Sequence, residues 1–539
     1  MRERKLMVLF GLGLLTFLFL NLGDRPLWGV EGRWAEGVRE MMLRGDWWVP
    51  TINGEPHVTK PLIPYWLIRI SALAFGRLDE LTVRLPVATC GLLTIVAFYA
   101  LARRFFEPWW SLTAAGILAT TWGFVGYARV AQSEIYQLAG IVSALAFYMW
   151  FREKKSFWGY LGFWFSALLA ALSKGLPGFT VPVLVAMVDI VLNRNFRHLN
   201  LQNFGAAFLA LTLYFLHYLG IARAMGSELP FYLIVRENLT QVVNPYDNRE
   251  PFYVYFYYLP ELFLPWTLFF FAALGFTVKN FRKVSQNQRF LLLALTAVFL
   301  LFDLARARRS YYILPAVPLG VLLITYYLRD KLKNPDALAR GLSYFYGFTT
   351  LFVGISLVLL AIFPHHFDFL PFKSRFLPLI TGIFILGALR WCVKKRTSPW
   401  GLIFSYLILA IAGISIATPA LTPPSEKIFG RGLAQLQTSF PQAKLCGYRK
   451  ISANLFFYIA SPRPLPIYQE LSKAVQNCDL VFFREKFYKK AASEIKILGA
   501  NGELYAVDKL YRSKDSNKNY LLWKLSGKYI LKQPFIPYP

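Results

Sequence analysis

The residues best placed to do chemistry lie in one polar stretch, "GVEGRWAEGVREMMLRGDWWVPTINGEPHVTKP", which begins at Gly29. Asp24, Glu31, Arg33 and Lys60 sit where this stretch and its flanks meet apolar sequence. An acid beside fixed cations at a membrane edge suits chemistry on a lipid phosphate. The cations hold phosphate as a point charge or a planar fork. The acid orients or deprotonates an acceptor. The same residue types recur at the ends of later apolar runs: Glu134 in "ARVAQSEIYQLAG", Lys174 in "LSKGLPGF", and Arg249 in "NPYDNREPFYVYF". Arg306, Arg308 and Arg309 cluster just ahead of Tyr311 and Tyr312 in "ARARRSYYILP". Ionisable groups at membrane depth mark functional sites by default. Each also has a plainer reading. Glu31 could be a helix-start acid on the dipole, Lys60 and Lys174 snorkelling lysines, and Glu134 the ion-pair partner of Arg129.

The elements that must carry these residues are membrane helices. The 539 residues are 56% hydrophobic and 17% aromatic, more apolar than a soluble domain. Apolar windows near 5–22, 81–102, 109–128, 135–151, 157–172, 176–192, 204–222, 254–277, 290–304, 311–328, 343–363, 375–391 and 400–418 give about thirteen spans. The basic N-terminus lacks a cleavage site and reads as a retained first span. "ARRFFEP", "FREKKS", "NRNFRHLN", "KNFRKVSQNQR", "LRDKLKNPDALAR" and "CVKKRTS" are short basic links, which places them in the cytoplasm. The loops 23–80, 223–253 and 364–374 and the C-terminal tail then lie outside. The net charge of +29 follows from such loops and from anion-binding surfaces. Nucleic-acid-binding signatures are absent, which excludes that partner on motif grounds. No internal repeat is visible, which counts against a secondary transporter.

Residues 422–539 change character. "AKLCGYR", "DLVFFRE", "ELYAVDKLYR" and "YLLWKL" read as strands and "KFYKKAASEIKIL" as a helix, a small α/β domain of about 115 residues. The four cysteines form no C-x-x-C pair, so a metal or redox cluster is not indicated. Cys90 and Cys392 fall in apolar spans, and Cys446 and Cys478 could pair if the domain is exported. His57, His365 and His366 are too scattered to define a metal site.

Within the first outer loop, Trp34, Val38, Met41 and Met42 recur at helical spacing, while Glu36, Arg39, Glu40 and Arg44 fall mostly on other faces. Glu40 and Arg44 are a favourable i,i+4 pair, and Gly45 is a natural stop. This helix is too charged to cross and is expected in the interface plane. A second juxtamembrane helix should run from "PLIPYW" to Gly76.

E-G-R-W-A-E-x-x-R-E-M, then G-D-W-x-V-P-x-x-N-G, then K-P-x-x-x-Y-W, resembles the first outer loop of the aminoarabinose-transferase branch of the protein-mannosyltransferase-like superfamily, which are GT-C glycosyltransferases. "ARVAQSEIYQLAG", "LSKGLPGF" and "RRSYYILPAVPLG" resemble later segments of the same family. The resemblance implies a polytopic α-helical membrane protein with 1–421 as catalytic domain and 422–539 as an extracytoplasmic α/β domain. It also implies an inverting enzyme that takes a sugar from a polyprenyl phosphate at the outer face of the inner membrane. Glu31, Asp24 and Glu134 are the candidate acids. Arg33, Lys60, Lys174, Arg249, Arg306, Arg308, Arg309, Tyr311 and Tyr312 are the candidate substrate ligands. In this family an Asp usually precedes the Glu of that first motif and an acid often precedes K-P. Here Val30 and Thr59 hold those positions, so the acid falls to Glu31 or Asp24, and a divalent metal has no defined ligands. The acceptor is lipid A, another envelope glycan or a protein hydroxyl, the last describing a protein O-mannosyltransferase. A lipid-linked-sugar flippase and a non-catalytic lipid-binding scaffold are the readings from other classes.

Overall fold

A computed structural model describes residues 2–332, 334–362, 376–395, 398–418, 422–498, 502–508, 513, 519–525 and 534–537. His365 and His366 lie outside them. The chain opens with α1 (Arg2–Phe19), and the first outer loop folds into α2 (Glu31–Arg44) and α3 (Ile63–Phe75). Then come α4 (Glu80–Ala102), α5 (Pro108–Ala119), α6 (Ser133–Phe151), α7 (Phe157–Lys174), α8 (Pro177–Leu192) and α9 (Leu201–Met225). They are followed by α10 (Tyr255–Leu262), α11 (Thr267–Lys279), α12 (Gln286–Leu304), α13 (Val317–Lys331), α14 (Ala337–Ile362), α15 (Phe376–Lys395) and α16 (Ser398–Ala410).

Among the described residues, seven helices are long and apolar enough to cross a membrane, or eight if one bent pair counts as a span. Two windows read as single spans are broken. The 109–128 window stops at Ala119 and resumes as a short helix, Trp122–Val125. Thr120 and Thr121 turn their hydroxyls back onto Gly116 and Leu118 carbonyls, and the Trp122 N–H leaves the helix for the Leu264 carbonyl at 2.6 Å. The 254–277 window bends by 114° between Leu262 and Thr267. Pro265 lies in the break and cannot donate to a helical ladder.

The packing separates two compact units. The helical unit comprises 1–20, 59–64 and 86–417. Its core element is α13, together with the turn that precedes it: the Ser310–Lys331 window is 89% buried, against 22% for Ala337–Leu359. An all-round apolar helix belongs in the middle of a bundle, and Val321, Leu322 and Ile324 are fully enclosed.

The second unit comprises 21–58, 65–85 and 418–539. Its strands are β1 (Thr51–Ile52), β2 (Glu55–Pro56), β3 (Leu445–Tyr448), β4 (Ile467–Tyr468), β5 (Leu480–Arg484), β6 (Glu503–Val507), β7 (Tyr520–Lys524) and β8 (Phe535–Pro537). The last six form a mixed sheet in the order β4-β3-β5-β7-β6-β8. Both faces are apolar because alternate residues of one strand serve opposite cores. Phe482 and Leu522 pack with Phe429 and Leu455 on one face. Val481, Phe483, Leu521 and Trp523 pack on the other. Cys446 of β3 and Cys478, just ahead of β5, form a disulfide.

In this unit α2 is more enclosed than its amphipathic pattern implies. Trp34, Val38 and Met41 are buried as expected, but Glu36 and Glu40 are also only 1% and 8% exposed. The Ala453–Ile459 helix and the β1–β2 hairpin pack on α2, so its charged faces are covered by protein. Gly45, at φ 68°, ends α2 by donating to the Met41 and Met42 carbonyls.

Candidate functional site

The strongest cluster is in the helical unit. α7 ends on Lys174, where helix-terminal carbonyls favour a cation. Gly175 follows at φ 139°, and a Cβ there would come within 2.7 Å of Asn238 Oδ1. That oxygen accepts the Leu176 N–H at 2.9 Å, which fixes the turn after Lys174. The Lys174 ammonium is 3.3 Å from Glu134 Oε1. It also lies 5.1 and 4.9 Å from the ring centroids of Tyr311 and Tyr312, within cation–π range. Glu134 opens α6 and is 6% exposed. Its second oxygen, Oε2, is buried without a hydrogen-bond partner. Arg129 does not pair with it. The Arg129 guanidinium instead binds the Phe17 and Leu20 carbonyls.

Lys60 stands beside this cluster and acts on Lys174 electrostatically. Its Nζ is 3.3 Å from Glu237 Oε2, and its side chain keeps about a third of its surface exposed. The segment is anchored where the Leu62 N–H donates to His217 Nε2 at 3.3 Å. Glu237 also receives Arg236 at 3.0 Å and the Tyr246 hydroxyl. Burial pushes the Glu237 carboxyl up, but Lys60, Tyr246 and Arg236 outweigh it and hold it below its ordinary value. Two lysines thus each face one carboxylate, Glu237 being shared with Arg236, and the Tyr311 and Tyr312 rings flank Lys174.

The arginine cluster divides by role. Arg308 is buried and donates to the Glu250 and Asp303 carbonyls at 2.7 and 2.6 Å. It clamps two stretches of backbone, and its Nε is left buried without a partner. Arg249 pairs through a single bridge with Ala307, and its side chain donates to the Pro245 carbonyl and Asn244 Oδ1. Arg309 donates to Asn248 Oδ1 and is exposed, as is Arg306.

Glu31, Asp24 and Arg33 belong to the other unit. Glu31 is fully buried. Arg84 binds it through Nε and Nη2, both at 2.8 Å, Arg25 binds it at 3.0 Å, and the Trp28 N–H donates at 2.8 Å. Arg84 also donates to the Leu22, Arg25 and Pro26 carbonyls. These bonds tie the start of α2 to Arg84 and to the 22–28 segment. Asp24 and Arg33 are exposed. In α2, Arg39 grips Glu36 with two bonds of 2.7 Å and donates to the Ser461 carbonyl at 2.9 Å. Burial nevertheless pushes the Glu36 carboxyl up to about 7. Glu40 accepts from Thr51 Oγ1 and from the Gly54 N–H at 3.1 Å, tying α2 to the hairpin.

Among the described residues no group of three or more His, Cys, Asp or Glu could hold a metal ion. Residues that the sequence reading passed over are Arg84, Glu237, Asn238 and Tyr246. Arg84 had a signal: a cation inside an apolar window is costly unless paired. Glu237 and Asn238 had none, because their partners lie far away in sequence.

Comparison with known proteins agrees with this architecture. The family model described as dolichyl-phosphate-mannose-protein mannosyltransferase matches residues 59–217. An uncharacterised protein of Aquifex aeolicus is 28% identical over 396 residues, 70% of this chain and 77% of its own. An undecaprenyl phosphate-alpha-4-amino-4-deoxy-L-arabinose arabinosyl transferase of Proteus mirabilis is 26% identical over 379 residues, 68% of this chain and 67% of its own. The crystal structure of ArnT from Cupriavidus metallidurans bound to undecaprenyl phosphate superposes with a TM-score of 0.75 and 19% identity, covering 97% of this chain and 98% of that one. The chain has the multi-helix membrane fold of the GT-C type. Within that class it is similar to the aminoarabinose transferases.

Proposed function

We propose that this enzyme moves a sugar from a polyprenyl-phosphate donor to an envelope acceptor such as lipid A, with inversion, at the periplasmic face of the inner membrane. The observation that carries the reading is the pairing of Lys60 and Lys174 in one unit, each opposed by a single carboxylate. A donor phosphate offers both lysines an anion. As the sugar leaves, negative charge grows on that phosphate, and fixed ammonium groups stabilise it without reorganising. Glu134 Oε2, buried and without a partner, is the acid that would orient or deprotonate the acceptor hydroxyl. Tyr311 and Tyr312 face Lys174 within cation–π range and help keep it in place. Glu31, clamped by Arg84, positions its loop and does no proton transfer. The match to the mannosyltransferase model favours a second reading in which the acceptor is a protein hydroxyl.

The test is transfer by purified full-length protein given undecaprenyl-phosphate sugars with either lipid A or a Ser/Thr peptide, read by mass spectrometry of the product. Transfer to lipid A is expected, with Lys60→Ala losing about 100-fold or more of kcat/KM, as for other preorganised charge-stabilising groups. Transfer to the peptide alone selects the second reading. No transfer with any lipid-linked sugar, or full activity in Lys60→Ala, sinks the proposal. A periplasm-active reporter fused after residue 425 checks orientation, and a cytoplasmic signal reverses it.

A further inference from the structure

A second cavity lies at the opposite end of α13 from Tyr311 and Tyr312, inside the helical unit, with a volume of about 370 Å³. That volume is in the range of small-ligand sites. Its depth is apolar, with Trp266 and Phe269 at the start of α11 and Leu402 on α16. Its rim is cationic, with Lys331 closing α13 and Arg340 in the first turn of α14. Lys331 lies over the Phe276 ring at 4.5 Å, about 10 Å along α11 from Phe269. The slot is thus long, greasy at one end and positive at the other. Lys331 already pairs with Asp336 at 2.9 Å. Arg340 is exposed and makes no ion pair among the described residues. Tyr327 lines the slot and is 2% exposed, so its ring adds to the apolar wall between the two ends.

We propose that this slot binds an anionic phospholipid of the surrounding bilayer. One acyl chain fills the space toward Trp266, and the headgroup phosphate sits on Arg340 with Lys331 beside it. This site is separate from the donor phosphate site at the other end of α13, and it holds lipid without reacting with it.

The test uses the full-length chain, delipidated in detergent and exposed to mixed micelles containing phosphatidylglycerol or phosphatidylcholine. Retained lipid is read by native mass spectrometry, and sn-glycerol 3-phosphate serves as a soluble competitor. Phosphatidylglycerol should be retained over phosphatidylcholine. Arg340→Gln should lower retention about fivefold, the effect of one cation on an anionic lipid. Gly347→Leu projects into the slot from α14, where a Cβ meets nothing within 4 Å. It also raises helix propensity, so the variant should fold, and it should abolish retention. Equal retention of both lipids, displacement of phosphatidylglycerol by sn-glycerol 3-phosphate, or unchanged retention in both variants would overturn the proposal.

Discussion

Glu31 and Glu134 are the same residue type, both almost wholly removed from water, and both stand at the first turn of a helix. Their surroundings differ. Glu31 receives donors from Arg84, Arg25 and the Trp28 N–H on its two oxygens. Glu134 has one lysine on one oxygen and nothing on the other. The first arrangement commits both oxygens to donors. The second keeps an unused acceptor beside a cation, and the low-dielectric surroundings strengthen whatever interaction it makes next. Burial of a carboxylate therefore says little about its use. The number of donors already committed to it says more.

The largest effect that could break this contrast is on the Glu31 side. Arg84→Met leaves Glu31 buried with a weaker set of cations, and loss of one partner of a buried pair costs about 3–5 kcal/mol. The unfolding midpoint of purified protein should fall sharply or the protein should fail to accumulate. A stable, fully active Arg84→Met protein would show that Glu31 is not the loop's clamp.

On the Glu134 side, Lys174→Ala should behave in the opposite way. It removes a cation from the donor site, so kcat/KM should drop by about 100-fold, roughly 2.7 kcal/mol. Lys174 makes one ion pair where Arg84 makes five bonds, so the unfolding midpoint should fall less than for Arg84→Met. A large loss of stability with activity retained per folded molecule would place Lys174 among the structural residues and erase the distinction.

A third carboxylate sharpens the comparison by pH. Burial raises the Glu36 carboxyl from 4.5 to about 7 in the folded protein. The folded state therefore binds the proton more tightly than the unfolded chain. The resulting stabilisation is full below pH 4.5 and is lost as pH rises through 7. It amounts to about 1–3 kcal/mol. Wild type should lose stability relative to Glu36→Gln over that window, as followed by denaturant unfolding at several pH values. Parallel curves would mean that the Arg39 fork keeps Glu36 ionised throughout.

Much of the architecture was legible because its signals are local. The windows at 81–102, 204–222 and 290–304 became α4, α9 and α12, since hydropathy over a helix length needs no partner to be read. The strands "AKLCGYR", "DLVFFRE" and "YLLWKL" became β3, β5 and β7 for the same reason. The amphipathic pattern of "EGRWAEGVREMMLRG" located α2 and its stop at Gly45. It misjudged the charged faces, because the hairpin that covers Glu40 and the helix more than 400 positions later that packs on α2 reach them only through folding.

Among the site residues, sequence alone determined that acids and cations stand at the ends of apolar helices, and that Lys174 is followed by a glycine able to turn sharply. Periodicity and residue chemistry are properties of the chain itself. Only the tertiary structure decided which charge meets which. It gave Glu31 to Arg84 and Arg25, Arg308 to backbone carbonyls, and Glu134 to Lys174 with one oxygen left over. Ion pairs form between segments brought together by folding, and no spacing along the chain encodes how many donors a carboxylate will find there.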